Sequence, residues 1–202
     1  MKVLLIGASG VIGQAVHAHL SARHEVLTAG RNSGQFRVDI TDDDSVRRLF
    51  EEASANGPLD AIVSAAGELH FGPITEMTAA QFNIGLQNKL LGQVRLALLG
   101  QRALSDGGSI TLTAGILSRE PIRQGANASA VNAALEGFAR GAAIDLQRGL
   151  RINVVSPTVL TESLPSYGDF MPGMEGVPAA RVALAYQRSV EGGQTGRTYF
   201  VE

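Results

Sequence analysis

A short apolar run at residues 3–6 leads straight into Gly7-Ala8-Ser9-Gly10-Val11-Ile12-Gly13. Glycines placed here, between an extended run and a helical one, have distinct tasks. Gly7 permits the tight turn, Gly10 removes the Cβ that would keep backbone away from a pyrophosphate, and Gly13 lets helix and strand pack closely. The N–H groups exposed around Ser9, Val11 and Ile12, together with the positive end of the helix dipole, then receive phosphates. The spacing is GxxGxxG rather than GxGxxG, so the context of strand before and helix after carries much of the weight. The plain alternative is a tight strand–helix connection with no ligand. The second strand-like run ends in Ala29-Gly30-Arg31-Asn32-Ser33. A carboxylate there would accept from a ribose 2′-hydroxyl, and none is present. Arg31 and Ser33, with Asn32 between them, instead offer charge and donors for a 2′-phosphate. NADP(H) is therefore expected in preference to NAD(H).

Other reactive types are sparse. The chain has no cysteine, which removes disulfides, thiol catalysis and Cys-ligated metals together. Its four histidines, His17, His19, His24 and His70, lack metal-site spacing, and no metal is expected. The only lysines are Lys2 and Lys89. With 45% hydrophobic and 18% charged residues and a net charge of −2 over 202 residues, the composition is that of an ordinary globular domain. The lack of basic excess argues against a nucleic-acid partner. The apolar run at the N-terminus is too short for a signal peptide, and no stretch is long enough to cross a bilayer. No membrane association and a cytoplasmic location are the expectations.

The elements that must position these residues alternate. Strands are expected at residues 3–6, 25–29, 36–38, 59–64, 109–113, 151–155 and 197–201. Helices are expected at 11–22, at 42–55 with Thr41 as cap, at 79–104, and at 126–148 ending at Gly149. Strands separated by helical segments pair in parallel, giving a Rossmann-type doubly wound α/β sheet of about seven strands with helices on both faces, in a single domain over residues 1–202. The ligand belongs beyond the carboxyl ends of the strands. Between Thr158 and Pro178 three prolines and several glycines punctuate a loop that also carries Tyr167, Phe170, Met171 and Met174. That loop reads equally as a lid over a ligand or as a surface connection whose apolar groups pack down.

The chain resembles the short-chain dehydrogenase/reductase family over most of its length. Besides the glycine turn, Val38-Asp39-Ile40 resembles the family's acidic position after the third strand, which implies that Asp39 and Ile40 reach the adenine. Ser64-Ala65-Ala66-Gly67 is similar to its turn after the fourth strand, implying that Ala65, Ala66 and Gly67 line the cofactor channel. Gly108-Ser109-Ile110, Ala133-Ala134-Leu135-Glu136-Gly137-Phe138 and, most specifically, Gly149-Leu150-Arg151-Ile152-Asn153-Val154-Val155-Ser156-Pro157 resemble later family segments. Pro157 is thereby assigned to the cofactor site. The segment from Ser163 to about Gly193 matches little.

The resemblance implies hydride transfer at a nicotinamide, with a Tyr as acid, a Lys four residues later, a Ser that polarises the carbonyl and an Asn on the preceding long helix. Aligned on the neighbouring motifs, those positions hold Ala128 for Tyr, Asn132 for Lys, Gly115 for Ser and Lys89 for Asn. Tyr167, Tyr186 and Tyr199 are each without a Lys four residues on, so a Tyr-x-x-x-Lys motif exists nowhere in the chain. Where many relatives carry a Thr for the carboxamide stands Glu162, between Thr161 and Ser163; a carboxamide can donate to it.

Lys89 is then the leading candidate, either reaching the vacated volume to hold a ribose or polarise an oxygen, or simply facing solvent. His70 and Glu68 lie near the channel, with His70 a possible proton donor or a plain loop histidine. Ser129 and Thr113 offer hydroxyls without an evident activating partner. Two functions remain open: an NADP-dependent oxidoreductase of unusual mechanism on an unknown small molecule, or a catalytically inactive NADP(H) sensor or interaction module. An apolar stripe of Leu86, Leu90, Val94 and Ala97 on the long helix points to a homodimer or homotetramer.

Overall fold

Along the first strand, β1 (Lys2–Ile6), neighbouring side chains point to opposite faces of the sheet. Val3 and Leu5 enter one buried cluster, Leu4 and Ile6 another. A strand that must be apolar on both faces reads as a continuous hydrophobic run, and that is the signature of a sheet covered twice. A computed structural model describes residues 1–202. It shows β2 (Glu25–Gly30), β3 (Phe36–Arg37), β4 (Leu59–Ser64), β5 (Leu104–Thr113), β6 (Arg151–Pro157) and β7 (Thr198–Val201) joined to β1 in one sheet of order β3-β2-β1-β4-β5-β6-β7. Every pairing between neighbours is parallel, which makes this the doubly wound α/β sheet expected from the sequence. The strand order reverses between β1 and β4, the place where such sheets open a crevice.

One face is covered by α1 (Val11–Leu20) and, after the four-residue α6 (Leu164–Tyr167), by α7 (Ala179–Glu191); Val16, Leu20, Val182, Tyr186 and Val190 of α1 and α7 pack on Val3, Leu5 and Val63. The other is covered by α2 (Asp43–Ala53), α4 (Leu91–Gly100) and α5 (Ala126–Asp145), which bring Leu49, Phe50, Leu96, Val131 and Leu135 onto Leu4, Ile62 and Ile110. A Leu→Ala change in either layer would cost about 2–5 kcal/mol.

Several boundaries differ from the sequence expectations. Asp42, not Thr41, caps α2, accepting from the Asp44 N–H at 3.2 Å; Thr41 is occupied by Asp39. The long helix expected at 79–104 is three pieces: α3 (Ala79–Gly85), a π-helical turn at Leu86–Leu90, and α4, after which residues from Leu104 already join β5. The π-turn adds one residue and rotates α4 relative to α3, so Leu86, Leu90 and Ala97 of the expected stripe pack on the chain's own core, while Leu91 and Leu98 face outward. α5 stops at Asp145, and the chain turns through Arg148 and Gly149, both at positive φ, before β6. α7 was not assigned from the sequence, although Val182, Tyr186 and Val190 after Pro178 carry a helical period. No helix is long and apolar enough to cross a membrane.

Candidate active site

The glycine turn closes on itself by contacts only glycine tolerates. Gly7 takes φ +88°, and a Cβ on it would lie 2.6 Å from the Ala65 carbonyl oxygen. A Cβ on Gly13 would lie 2.0 Å from the Gly7 carbonyl oxygen, so α1 presses directly on the end of β1. Gly10 differs: it is exposed, and its Cβ would meet only the Gly7 oxygen, at 3.6 Å. Its outer side is left to a ligand. No side chain caps α1, so the N–H groups of its first turn keep their donors for an anion.

This turn forms one wall of a cleft of about 270 Å³ at the carboxyl ends of β2, β1 and β4. Of the residues assigned to the cofactor from sequence, Gly7, Ser9, Arg31, Asn32, Ser33, Ile40, Ala66 and Gly67 line it together, joined by Ile6, Gly30, Val38, Glu68 and Asn88. Gly10, Val11, Ile12, Gly13, Asp39, Ala65 and Pro157 do not line it. Asp39 serves the wall from behind. Its carboxylate accepts from the Thr41 N–H at 2.9 Å and hydroxyl at 2.7 Å, and these bonds hold its pKa below the ordinary range. That fixed turn leaves Val38 and Ile40 on the cleft.

The Arg31 segment is braced by a side-chain clasp. Gln35 Oε1 accepts from the Thr28 N–H at 2.9 Å, and Thr28 Oγ1 accepts from the Gln35 N–H at 3.2 Å. Across the cleft mouth, Arg31 Nη1 donates to Glu68 Oε1 at 3.1 Å, both side chains being exposed. The Glu68 N–H in turn donates to Asn88 Oδ1 at 2.8 Å. Sequence reasoning placed Glu68 near the channel but missed this pairing, for which no sequence signal exists.

The far end of the site is built from the π-turn, the end of β5 and α5. Lys89 Nζ donates to the Ala114 carbonyl at 3.2 Å, and its stem lies so close to Gly67 that a Cβ there would sit 2.7 Å from Lys89 Cγ. Gly67 makes room for it at φ +132°. The lysine therefore points inward and does not project to solvent. Burial pushes its pKa down to about 8. Asn132 is 2% exposed and lies beside Gly115, whose Cβ would be 3.2 Å from Asn132 Nδ2. Ala128 is fully buried against Ile116 and Leu117.

The remaining sequence candidates have other partners. Thr113 Oγ1 donates to the Ser64 carbonyl at 2.5 Å and meets the Tyr186 hydroxyl at 2.6 Å, a buried link between β5, β4 and α7. Burial raises the Tyr186 phenol well above its ordinary pKa. The His70 N–H is held by Asn127 Oδ1 at 3.0 Å, and its ring lies toward Gly72. Both oxygens of Glu162 take the Ala179 N–H, at 3.0 and 3.1 Å, so this carboxylate caps α7. Ser129 Oγ is buried without a partner. In the loop, Met171 packs on the Ile116–Ala128 cluster while Tyr167 and Phe170 stay exposed, and a cleft of about 430 Å³ separates Phe170 and Met174 from Ile122.

Comparison with known proteins agrees with this geometry. The family model described as enoyl-(acyl carrier protein) reductase matches residues 7–189. A cis-4-hydroxycyclohexanecarboxylate dehydrogenase of Sinomonas cyclohexanicum is 30% identical over 79% of this chain and 68% of its own length. A versicolorin reductase of Emericella nidulans is 29% identical over 66% of this chain, which spans only 52% of that protein. Among solved structures, the protein lin1944 from Listeria innocua superposes with a TM-score of 0.97 at 50% identity over the whole of both chains. A small-chain dehydrogenase in complex with NADPH superposes with a TM-score of 0.87 at 28% identity, over 100% of this chain and 96% of that one.

Proposed function

The chain belongs to the short-chain dehydrogenase/reductase family, and from that premise we propose that it is an NADP(H)-dependent oxidoreductase with an atypical active site. The observation that carries the cofactor preference is the wall of the cleft at the end of β2. Arg31, Asn32 and Ser33 line it opposite the glycine turn, and the β2 end contributes a guanidinium where a ribose 2′-hydroxyl would need a carboxylate. The dinucleotide fits the residues present, because the turn leaves the outer side of Gly10 open and the first N–H groups of α1 uncapped. Gly7, Ser9 and α1 would take the pyrophosphate, Val38 and Ile40 would flank the adenine, and Arg31 would take the 2′-phosphate. A relative solved with NADPH supports the same reading. When bound, the group supplies or accepts two electrons at its nicotinamide.

The test is direct titration of both dinucleotides by fluorescence, followed by NADPH oxidation over a panel of carbonyl and imine substrates. NADPH is expected to bind at least about tenfold more tightly than NADH, the scale of one charge-assisted contact. Equal affinities would refute the preference.

A second reading, an inactive NADP(H) sensor, is favoured by one observation. The position expected to hold a tyrosine is Ala128, fully buried in an apolar cluster, and no Tyr-x-x-x-Lys exists in the chain. Binding without turnover on the panel would select it. In either case the protein is inferred to be cytoplasmic and to self-associate through the outer face of α4 and α5. There Leu98 is 55% and Ile144 84% exposed, beside an apolar cleft lined by Leu98, Phe138, Ala142 and Leu146. Monomeric mass in light scattering would refute the assembly.

A further inference from the structure

The sheet has two edges, and they are unlike. β3 is a two-residue strand (Phe36–Arg37), too short to template pairing with another chain. β7 is four residues long (Thr198–Val201) and ends the sheet with no strand beyond it. In its ladder with β6, the Val154 N–H donates to the Arg197 carbonyl at 2.8 Å and the Thr158 N–H to the Val201 carbonyl at 2.9 Å. Bonding residues alternate along such a strand, so Thr198 and Phe200 turn both N–H and C=O outward, where no group of the chain meets them.

Beside this edge lies a groove of about 630 Å³ between α7 and β7, lined by Arg119, Arg181, Arg188 and Arg197. Glu202 is the one acidic side chain in its lining, and Arg119 takes it at 3.2 Å. Arg119 also stacks on Phe200, 4.0 Å from the ring centre, and Arg188 lies 4.9 Å from that of Tyr199. The guanidiniums of Arg181, Arg188 and Arg197 have no acceptor within the chain. Arg181 and Arg188 stand on one side of α7, about 10 Å apart by the helical rise. That is the length of about three residues of extended chain, too wide for one phosphate group. Leu184, between them on α7, is 53% exposed, and Phe200 on the strand 40%. Charge along an edge strand often serves only to repel other chains. Repulsion alone does not account for two large apolar groups left in water among the charges.

We propose that this groove binds an extended acidic segment of a partner protein, which joins the sheet beside β7. The outward N–H and C=O groups of Thr198 and Phe200 supply main-chain bonds. Arg181, Arg188 and Arg197 take the segment's carboxylates, and Leu184 and Phe200 take its apolar side chains. Arginine suits the task, because its planar fork binds a carboxylate through paired donors. A second copy of this chain is the poorer occupant. A two-fold contact would set these guanidiniums against their own counterparts. Self-association through α4 and α5 leaves the β7 edge free, so both can occur in one assembly.

The test uses two blocked octapeptides of alternating glutamate and valine, one beginning on each residue, and their glutamine counterparts. Calorimetric titration into the full chain should show saturable one-to-one binding of at least one acidic peptide, weakening as salt is added. The glutamine counterparts should bind at least about tenfold more weakly, as should the acidic peptide to Arg188→Glu or Arg181→Glu. Thr198→Pro removes an outward N–H while sparing the ladder with β6, and should weaken binding several-fold. Thermal melts report that these variants are folded. Amide exchange followed by NMR separates strand addition from ionic adsorption. Thr198 and Phe200 should exchange freely in the chain alone and at least about tenfold more slowly at saturation, whereas Tyr199 and Val201 are slow throughout. No saturable binding, equal binding of the glutamine peptides, or binding without protection of Thr198 and Phe200 overturns the proposal. Protection in the chain alone that grows with its concentration would make a second copy the occupant and overturn it too. Tripolyphosphate that binds the groove more tightly than either peptide would make it a small-anion site instead.

Discussion

The two ends of the site are made of different material. Toward β2 and β1 the walls are largely backbone: a glycine turn, the uncapped start of α1, and a short clasped loop carrying Arg31. Beyond the cleft toward β5 and α5, where the family resemblance places the reacting groups, the structure depends on side chains: Lys89 on the Ala114 carbonyl, the buried Asn132 beside Gly115, and Ala128 in an apolar cluster. A phosphate site made of N–H groups tolerates almost any side chains provided the glycines remain. A site whose chemistry depends on side chains can be rebuilt entirely while the fold and the phosphate end stay as they were. The family's fold thus says more about what this chain binds than about what it does with it.

The difference should appear first as a difference in what each end can survive. Gly13→Val puts a Cβ where the Gly7 carbonyl oxygen already lies at 2.0 Å. It should cost about 3 kcal/mol or more of stability and abolish NADPH binding, as thermal melts and fluorescence titration would record. Rebuilding the other end with Ala128→Tyr and Asn132→Lys should not raise carbonyl reduction above that of the unaltered chain. The tyrosine would enter a fully buried apolar cluster, and an overpacking cost of about 1–3 kcal/mol should lower Tm by several degrees. A clear rise in carbonyl reduction over the unaltered chain in that double variant would erase the distinction between the two ends. Next in size is Arg31→Ala, expected to weaken NADPH about tenfold and NADH little; equal losses would mean that Arg31 does not read the 2′-phosphate. The smallest effect belongs to Glu68→Gln. Freed from an exposed ion pair at 3.1 Å, Arg31 should bind NADPH a few-fold more tightly, and the gain should shrink as salt is added.

The parts legible in the sequence are those set by local chemistry. The continuous apolar run at residues 3–6 marked a strand, whose Leu4 and Leu5 enter opposite cores, and the glycine turn was recognisable because Gly7, Gly10 and Gly13 fall within seven residues of each other, although the Ala65 carbonyl that Gly7 must clear is distant in the chain. The helix α7 carries a readable period too, in Val182, Tyr186 and Val190, although no helix is expected after the proline-rich loop that ends at Pro178. The π-turn left no such trace, since one extra residue in a helical run alters no periodicity strongly enough to see.

What the sequence alone determined, then, is the doubly wound sheet, the phosphate-ready turn and the absence of any Tyr-x-x-x-Lys, because each comes from residue types at short range. The tertiary structure decided the rest. It turned Lys89 inward onto Ala114, joined Arg31 to Glu68 across 37 positions, and assigned Glu162 to the start of α7. Those outcomes depend on which distant groups the packed sheet brings within hydrogen-bond reach, and on the desolvation that packing imposes, and neither quantity is carried by any local run of residues.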